Sequence, residues 1–210
     1  MKSLTSFSFL RAAAVALVIP FATSAAFAGG SSTVAAVSAS EIIASKTSSM
    51  GPLALSGIEL SNFGVVDGRI FRGEQPKGAD FAALKAIGVQ TIIDLREDSK
   101  STSRHDAEAA GLRYINIKID GHGTPTAAQA AEFIKAVEDP ANGVVYAHCA
   151  GGRHRTGSMI AAYRMTKDGW TLEQAYDEML KYDFYTGGGH KGFKTFVEDY
   201  ARNVCPAPTN

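Results

Sequence analysis

The sequence predicts an α/β domain in which helices flank a central, mostly parallel sheet. Short apolar segments at 89–95, 113–117 and 143–147 have the length and composition of buried strands. Segments with helical character separate them, and Gly and Pro residues mark the turns between the two kinds of segment. Strands that alternate with helices in this way form parallel sheets whose two faces are both covered.

The remaining elements are predicted from local signals. Strands at 65–66 and 69–71 are expected around the turn at Asp67-Gly68. Thr171 and Gln174 have the spacing of a capping box at a helix start. The apolar periodicity and the Gly and Pro breaks predict helices at 79–87, 104–110, 126–137, 155–166, 171–182 and 191–203.

The first residues predict an export signal. Lys2 and Arg11 come before an apolar run at 12–22, and Ala26-Phe27-Ala28 has the form of a cleavage site. The run is short for a membrane span, so we expect no stable membrane insertion after cleavage. The chain is therefore expected in the periplasm or outside the cell.

Composition divides the chain into four parts. We expect a signal peptide at 1–28, a flexible linker rich in Ser, Ala and Gly at 29–58, one catalytic domain at 59–203 and a C-terminal tail at 204–210. At 210 residues, the chain has room for one such domain.

Charge and cysteine content exclude some classes of protein. The 21 basic residues are balanced by 21 acidic ones, so no excess of cations is available for wholesale contact with nucleic acid. Any recognition of an anion must come from a local cluster. Cys149 and Cys205 are the two cysteines of the sequence, too few for a disulfide framework. Cys205, beside two prolines, is expected to be a terminal thiol without a catalytic part.

The segment after the last predicted strand carries the chemistry. Cys149 and Arg155 are separated by five residues, between a strand end and a helix start. A loop of this length can turn successive N–H groups inward and form a phosphate nest at the positive end of the helix dipole. Gly151 and Gly152 are expected to allow the curl, and Ala150 supplies a further N–H group.

The residue types in this loop suit phosphoryl transfer. The Arg155 fork can hold two phosphate oxygens, and Cys149 would lie below the phosphorus. The helix dipole and Arg155 are expected to lower the pKa of the thiol, so that its thiolate can attack and form a phosphocysteine. Thr156 is placed to donate a hydrogen bond to the sulfur. His148 is expected to orient the loop, and Arg153 and His154 to add positive charge at its rim.

This loop resembles the His-Cys-x5-Arg-Ser/Thr signature of the protein tyrosine phosphatase superfamily. The run Gly-Arg-His-Arg-Thr-Gly from Gly152 is similar to the Gly-Lys-His-Arg-Thr-Gly loop of plant and fungal atypical dual-specificity phosphatases. Asn62-Phe63, Ile70-Phe71-Arg72 and Pro76 resemble their opening strand, and bacterial secreted members are similar through 92–96 and Tyr163-Arg164. The similarity covers 61–202 and implies a cysteine-dependent phosphatase fold.

The resemblance also implies an activity and a substrate class. A phosphatase of the phosphotyrosine or dual-specificity type would act on a phosphorylated protein or a small phosphoester. Hydrolysis of inositol polyphosphates, inositol pyrophosphates or phosphoinositides is the alternative. Arg153 replaces the Lys of the plant and fungal loop, so a preference for inositol pyrophosphates is only weakly implied.

The superfamily also needs an acid that protonates the leaving oxygen, usually an Asp about thirty residues before the nucleophile. Asp120 fits that offset, and the glycines of Asp120-Gly-His-Gly123 would allow the segment to move over a bound phosphate. Capping of a turn is the other interpretation of Asp120, and His122 is the reserve candidate for the acid.

The other polar residues are given structural roles. Arg72 and Arg96 are expected to brace the sheet through ion pairs. His190, with Lys191 and Lys194, is expected at a solvated helix start. The five histidines are dispersed, so we expect neither a metal nor a cofactor.

Two other functions start from a similar pattern. A rhodanese-like sulfurtransferase also has its cysteine between a strand and a helix, but its loop is shorter. An inactive phosphate-binding module would have lost part of the catalytic set. Cys149, Arg155 and a candidate acid are all present, which favours an active enzyme.

Overall fold

A mixed five-stranded sheet, in the order β1-β2-β5-β3-β4, is the middle layer of the residues that the computed structural model describes, 57–97 and 101–203. The strands are β1 (Gly64–Val65), β2 (Ile70–Gly73), β3 (Thr91–Arg96), β4 (Arg113–Ile119) and β5 (Val145–His148). β1 pairs antiparallel with β2, and the other pairs are parallel. The predicted α/β architecture with a mostly parallel sheet is confirmed.

Helices cover both faces of this sheet. They are α1 (Asp80–Ala86), α2 (Ser101–Ala109), α3 (Ala127–Glu138), α4 (His154–Lys167), α5 (Leu172–Lys181) and α6 (Lys191–Asn203), with a 3-10 turn at Pro140–Asn142. The capping box predicted at Thr171 and Gln174 is confirmed, and Thr126 and Gln129 form a second one.

Alternation along the strands sends side chains to two separate cores. On β3, Ile93 and Leu95 pack in the core that α3 to α6 cover, whereas Ile92 packs in the core beside α1. On β5, Ala147 belongs to the first core and Tyr146 to the second. The central strands are therefore buried on both faces, as parallel strands between helical layers must be.

Two boundaries differ from the sequence prediction for identifiable reasons. β4 continues to Ile119, because Ile117 and Ile119 are both buried and extend the alternation by one more period. α2 begins at Ser101 rather than at 104. The Ser-Thr-Ser run at 101–103 has no apolar periodicity that would predict a helix start. Ser103 is nevertheless buried and accepts a hydrogen bond of 3.0 Å from Arg96 Nη2.

The predicted outer segments lie largely outside the described residues. The signal peptide at 1–28, the linker at 29–58 apart from its last two residues, and the tail at 204–210 with Cys205 stay predictions. Within 57–97 and 101–203, no helix is long and apolar enough to cross a membrane.

Candidate active site

Cys149 lies directly after β5, at the carboxyl end of the strand between β2 and β3. The side chain is buried, and α4 begins five residues later, at His154. A crevice outside the carboxyl ends of parallel strands is the usual position of an active site in such sheets. The loop at 149–155 therefore joins the sheet to the positive end of a long helix.

Four successive carbonyl oxygens of this loop are held by neighbouring groups. Their partners are His148 Nδ1 for Cys149 at 3.0 Å, Gln75 N for Ala150 at 3.1 Å, Asn62 Nδ2 for Gly151 at 2.9 Å and Arg72 Nη2 for Gly152 at 2.8 Å. In a planar trans peptide, the C=O group and the following N–H group point in opposite directions. Holding these carbonyls outward therefore turns the N–H groups of 150–153 toward the inside of the loop.

Gly152 is required by the backbone of the loop. Its φ angle is 70°, and a Cβ atom there would lie 2.5 Å from the carbonyl carbon of Gly73. A Cβ atom at Gly151 would meet nothing nearer than 3.8 Å, and φ at Gly151 is not positive. The expectation that both glycines allow the curl is right for Gly152 and wrong for Gly151.

The environment of Cys149 favours its thiolate. Burial raises the pKa of the thiol, but hydrogen bonds from Thr156 and Gly152 and the charge of Arg155 outweigh burial, so the pKa lies below its ordinary value. The buried Thr156 hydroxyl has no hydrogen-bond partner within the described ranges. The predicted hydrogen bond from the Thr156 hydroxyl to the sulfur stays a prediction.

Arg155 lies between the loop at 149–155, called the phosphate loop below, and the segment after β4. Its Nη1 donates a hydrogen bond of 3.4 Å to the carbonyl oxygen of Ile119. A Cβ atom at Gly121 would be 3.7 Å from the guanidinium carbon. The guanidinium thus lies in van der Waals range of the backbone at Gly121.

These groups meet in one pocket of about 190 Å³ above Cys149. Its lining contains six of the site residues that the sequence predicts: Cys149, Ala150, Gly151, Arg153, His154 and Arg155. The other three lining residues, Gly121, Tyr185 and His190, were not predicted as site residues. A pocket of this size accommodates a phosphate group.

His148 lies behind the loop rather than in the pocket. Its Nδ1 contacts the Cys149 carbonyl, and its Nε2 is 3.8 Å from the carboxylate of Asp94. Burial lowers the pKa of His148 despite this carboxylate, so the ring is neutral near neutral pH. Its position suits the expected role of orienting the loop.

Asp120 does not line the pocket in this conformation. Its Oδ1 accepts a hydrogen bond of 2.9 Å from the N–H group of His122. Bonds from the N–H groups of His122 and Gly123 lower the pKa of the exposed carboxyl group, which favours the anion. The turn-capping interpretation describes this conformation, and the role of Asp120 as an acid stays a prediction.

The expected charge of His154 is wrong. The side chain is buried, and its Nε2 lies 3.0 Å from the carbonyl oxygen of Tyr185. Burial, followed by the neighbouring His190, lowers the pKa of His154 to about 4. The ring therefore lines the pocket as a neutral group at neutral pH. Arg153 does carry charge, but its Nη2 lies 3.7 Å from the carboxylate of Asp183.

Arg96 and Arg72 differ in how they brace the fold. Arg96 forms the predicted ion pair, at 2.6 Å with Asp94. Arg72 has no ion pair within the described residues; it is fully buried, holds the Gly152 carbonyl and lies 3.8 Å from the ring centroid of Tyr182. The expectation of an ion pair for Arg72 is therefore wrong, and its cation braces the phosphate loop.

His190 directly precedes α6, as expected for a helix start, but its half-buried ring is not solvated as predicted. Its ring lies in the pocket wall and stacks on His154 with 3.7 Å between ring centroids. Tyr185 lies on the same wall. Neither residue has a sequence signal, because the loop at 182–190 that carries them has no recognisable motif. Within the described ranges, no group of three His, Cys, Asp or Glu side chains could hold a metal ion.

Comparison with protein families decides the classification. A family model described as "DSP-PTPase phosphatase fused to NAD+ Kinase" matches residues 59–197, well over half of the chain. The chain belongs to this family of DSP-PTPase phosphatases. The match includes the whole phosphate loop and both predicted acid candidates.

Curated relatives of this DSP-PTPase are similar over part of their length. The mRNA-capping enzyme of Danio rerio is 32% identical over 44% of the chain and 17% of its own length. Inositol diphosphatase DSP4 of Arabidopsis thaliana is 28% identical over 58% of the chain and 63% of its own length. Inositol diphosphatase SIW14 of Saccharomyces cerevisiae is 27% identical over 59% of the chain and 46% of its own length. The chain thus spans less than two thirds of each of them.

Solved structures show the same fold. The Siw14 catalytic core superposes with a TM-score of 0.60 at 22% identity, over 70% of this DSP-PTPase and 90% of that chain. Tk-PTP in its active form gives a TM-score of 0.58 at 20% identity, over 68% of this DSP-PTPase and 97% of the Tk-PTP chain. Both likenesses establish the cysteine-dependent phosphatase fold.

Proposed function

We propose that this DSP-PTPase hydrolyses phosphate monoesters through a phosphocysteine on Cys149. One observation carries the proposal: a thiol of lowered pKa lies at the base of a loop whose N–H groups face inward. Arg155 adds a cation at the same pocket. These groups stabilise the charge of a transferring phosphoryl group without rearrangement of solvent.

The chemistry follows in two steps. The Cys149 thiolate attacks phosphorus, the bond from phosphorus to the ester oxygen breaks, and Asp120 gives that oxygen a proton. Water then attacks the phosphocysteine, the phosphorus–sulfur bond breaks, and the Asp120 carboxylate takes the proton of the water. Asp120 must leave its N–H partners and be protonated for the first step, so its side chain turns toward the pocket when substrate binds.

The pocket rim supports substrates with one phosphate group. Arg153 is paired with Asp183, and His154 is neutral at neutral pH, so the rim holds little net positive charge. The rings of Tyr185 and His190 offer apolar contact instead. A phosphotyrosine or dual-specificity activity on phosphorylated proteins or small phosphoesters fits this rim.

Inositol diphosphate hydrolysis is the second candidate. The names of the Arabidopsis and yeast relatives favour it, as does the loop sequence from Gly152 to Gly157. A densely charged inositol phosphate would need more cations than the rim holds. Arg153→Ala should therefore impair an inositol diphosphatase strongly and a monoester phosphatase weakly.

A panel assay with the purified mature protein tests both candidates. It compares phosphotyrosine peptides, phosphoserine peptides, inositol phosphates, inositol pyrophosphates and thiosulfate in buffer containing a metal chelator. We expect phosphoester turnover that vanadate blocks and that Cys149→Ser abolishes. Turnover retained in Cys149→Ser would refute the nucleophile, and preference for thiosulfate would indicate a sulfurtransferase.

We also propose that the protein is exported and cleaved after Ala28. The basic residues, the apolar run and Ala26-Phe27-Ala28 support this proposal. N-terminal sequencing of the protein recovered from producing cells should begin at Gly29. An intact N-terminus in the cytoplasmic fraction would contradict export.

A further inference from the structure

Three imidazole rings connect the phosphate loop to the segment that carries Asp120. His190 stacks on His154 with 3.7 Å between centroids and an interplanar angle of 17°. It also stacks on His122 with 5.3 Å between centroids and an angle of 12°. His154 opens α4 beside the phosphate loop, and His122 lies two residues after Asp120. His190 thus contacts both sides of the pocket.

Backbone contacts reinforce this connection. A Cβ atom at Gly192 would lie 2.6 Å from Thr124 Oγ1 and 2.9 Å from the carbonyl oxygen of Gly123. A Cβ atom at Gly189 would lie 3.1 Å from the His122 ring. The glycines on either side of His190 therefore let its backbone approach the segment at 121–124 closely.

We propose that His190 is a positioning residue that holds the segment at 120–124 against the phosphate loop and so presents Asp120 to the leaving group. The inference rests on the proposed phosphatase function. This role differs from proton transfer: the ring faces of His190 contact His122 and His154, and its Nδ1 is buried without a hydrogen-bond partner in the described residues. Its effect on the reaction passes through Asp120.

Leaving-group dependence separates positioning from a general structural role. Phenyl phosphate has a poor leaving group and needs the acid, whereas para-nitrophenyl phosphate needs it much less. Asp120→Asn should lower kcat about 10²–10⁴-fold on phenyl phosphate. The loss of kcat caused by His190→Ala should be about tenfold or more greater on phenyl phosphate than on para-nitrophenyl phosphate, because a misplaced acid loses part of its contribution.

The decisive measurement is a double-mutant cycle on phenyl phosphate. His190→Ala should cause little further loss of kcat in an Asp120→Asn background, because both changes remove the same function, protonation of the leaving group by Asp120. His190→Phe retains a stacking ring and should recover part of the kcat. His105→Ala is the control, because that side chain lies on α2 and is 82% exposed. Loss of iodoacetamide alkylation of Cys149 in His190→Ala would show damage to the nucleophile and contradict an effect that passes through Asp120.

Two results would overturn the positioning role. One is an equal loss on both substrates, and the other is full additivity with Asp120→Asn. Should His190→Ala fail to fold, His190→Gln, which keeps a polar side chain but has no ring to stack, must show the same substrate dependence. Failure of the phosphatase proposal would be seen separately, either as turnover that Cys149→Ser retains or as no phosphoester turnover by the wild-type protein.

Discussion

The Arg72 guanidinium donates a hydrogen bond of 2.8 Å to the carbonyl oxygen of Gly152. Burial lowers the pKa of Arg72 to about 10, which still leaves the side chain charged at neutral pH. A charged donor on the inner part of β2 therefore fixes the peptide whose N–H group points into the phosphate loop. The bond joins the opening strand to the catalytic loop across 80 residues of sequence.

Arg72→Lys should weaken binding of the phosphate analogue vanadate. The lysine keeps the charge but has no planar fork that reaches Gly152 and stacks on Tyr182. Loss of a charged hydrogen bond costs about 1.5–3 kcal/mol, so the dissociation constant should rise by about 10- to 100-fold. Titration calorimetry measures the change. Arg69→Lys is the control, since Arg69 bonds the distant Asp139 carbonyl, and an equal effect there would contradict the assignment.

Gly152→Ala should destabilise the fold. The alanine would adopt a strained positive φ and overlap the Gly73 backbone, so the free energy of unfolding should fall by at least about 1–3 kcal/mol. Gly151→Ala is the matched control, because its Cβ atom has ordinary space. Urea unfolding compares the two variants. Similar stability of both would show that the loop does not have the backbone described above.

Thr156→Ala should raise the pKa of Cys149. Thr156 lowers the pKa of the thiol, and without its hydroxyl group burial, which raises the pKa, is less strongly opposed. The pH midpoint of iodoacetamide alkylation should move upward. Ser158→Ala removes a hydroxyl from the same helix that bonds the Arg155 carbonyl instead, and its midpoint should not move. Coinciding midpoints for wild type and Thr156→Ala would remove Thr156 from this role.

His154 makes stability depend on pH. Its pKa falls from an ordinary 6.5 to about 4 in the fold, so between these values the unfolded chain binds the proton and the folded chain does not. The contribution of His154 to the free energy of unfolding is present above pH 6.5 and decreases as pH falls toward 4, by about 1–3 kcal/mol. His154→Gln, which can still donate to Tyr185, should flatten this part of the profile. Urea unfolding measures the free energy of unfolding at each pH. Parallel pH profiles for wild type and His154→Gln would contradict this contribution of His154.

The sequence predicts the framework and the nucleophile because both depend on local patterns. Short apolar runs between turn residues identify β3 and β5, and the spacing of Cys149 and Arg155 follows from the geometry of a loop between a strand and a helix. The charge of His154 is not local. It depends on burial under Tyr185 and His190, which come from a segment about thirty residues later and pack there only in the folded chain.

The same limit explains Arg72 and Asp120. Nothing near Arg72 in sequence indicates that its partner is the Gly152 carbonyl, because β2 and β5 become neighbours only in the sheet. The offset of Asp120 from Cys149 identifies a candidate acid, but the offset cannot show that the carboxylate bonds its own turn in this conformation. Tertiary contacts decide both.

The most direct test of the central claim is capture of the phosphoryl group on Cys149. Protein mixed with para-nitrophenyl phosphate, quenched in acid within one turnover and digested, should give a peptide spanning 149–155 that carries one phosphoryl group on the cysteine. Cys149→Ser should give no such peptide and no turnover. Rapid turnover by wild type with no phosphorylated Cys149 at any quench time, or turnover retained by Cys149→Ser, would contradict the phosphocysteine mechanism.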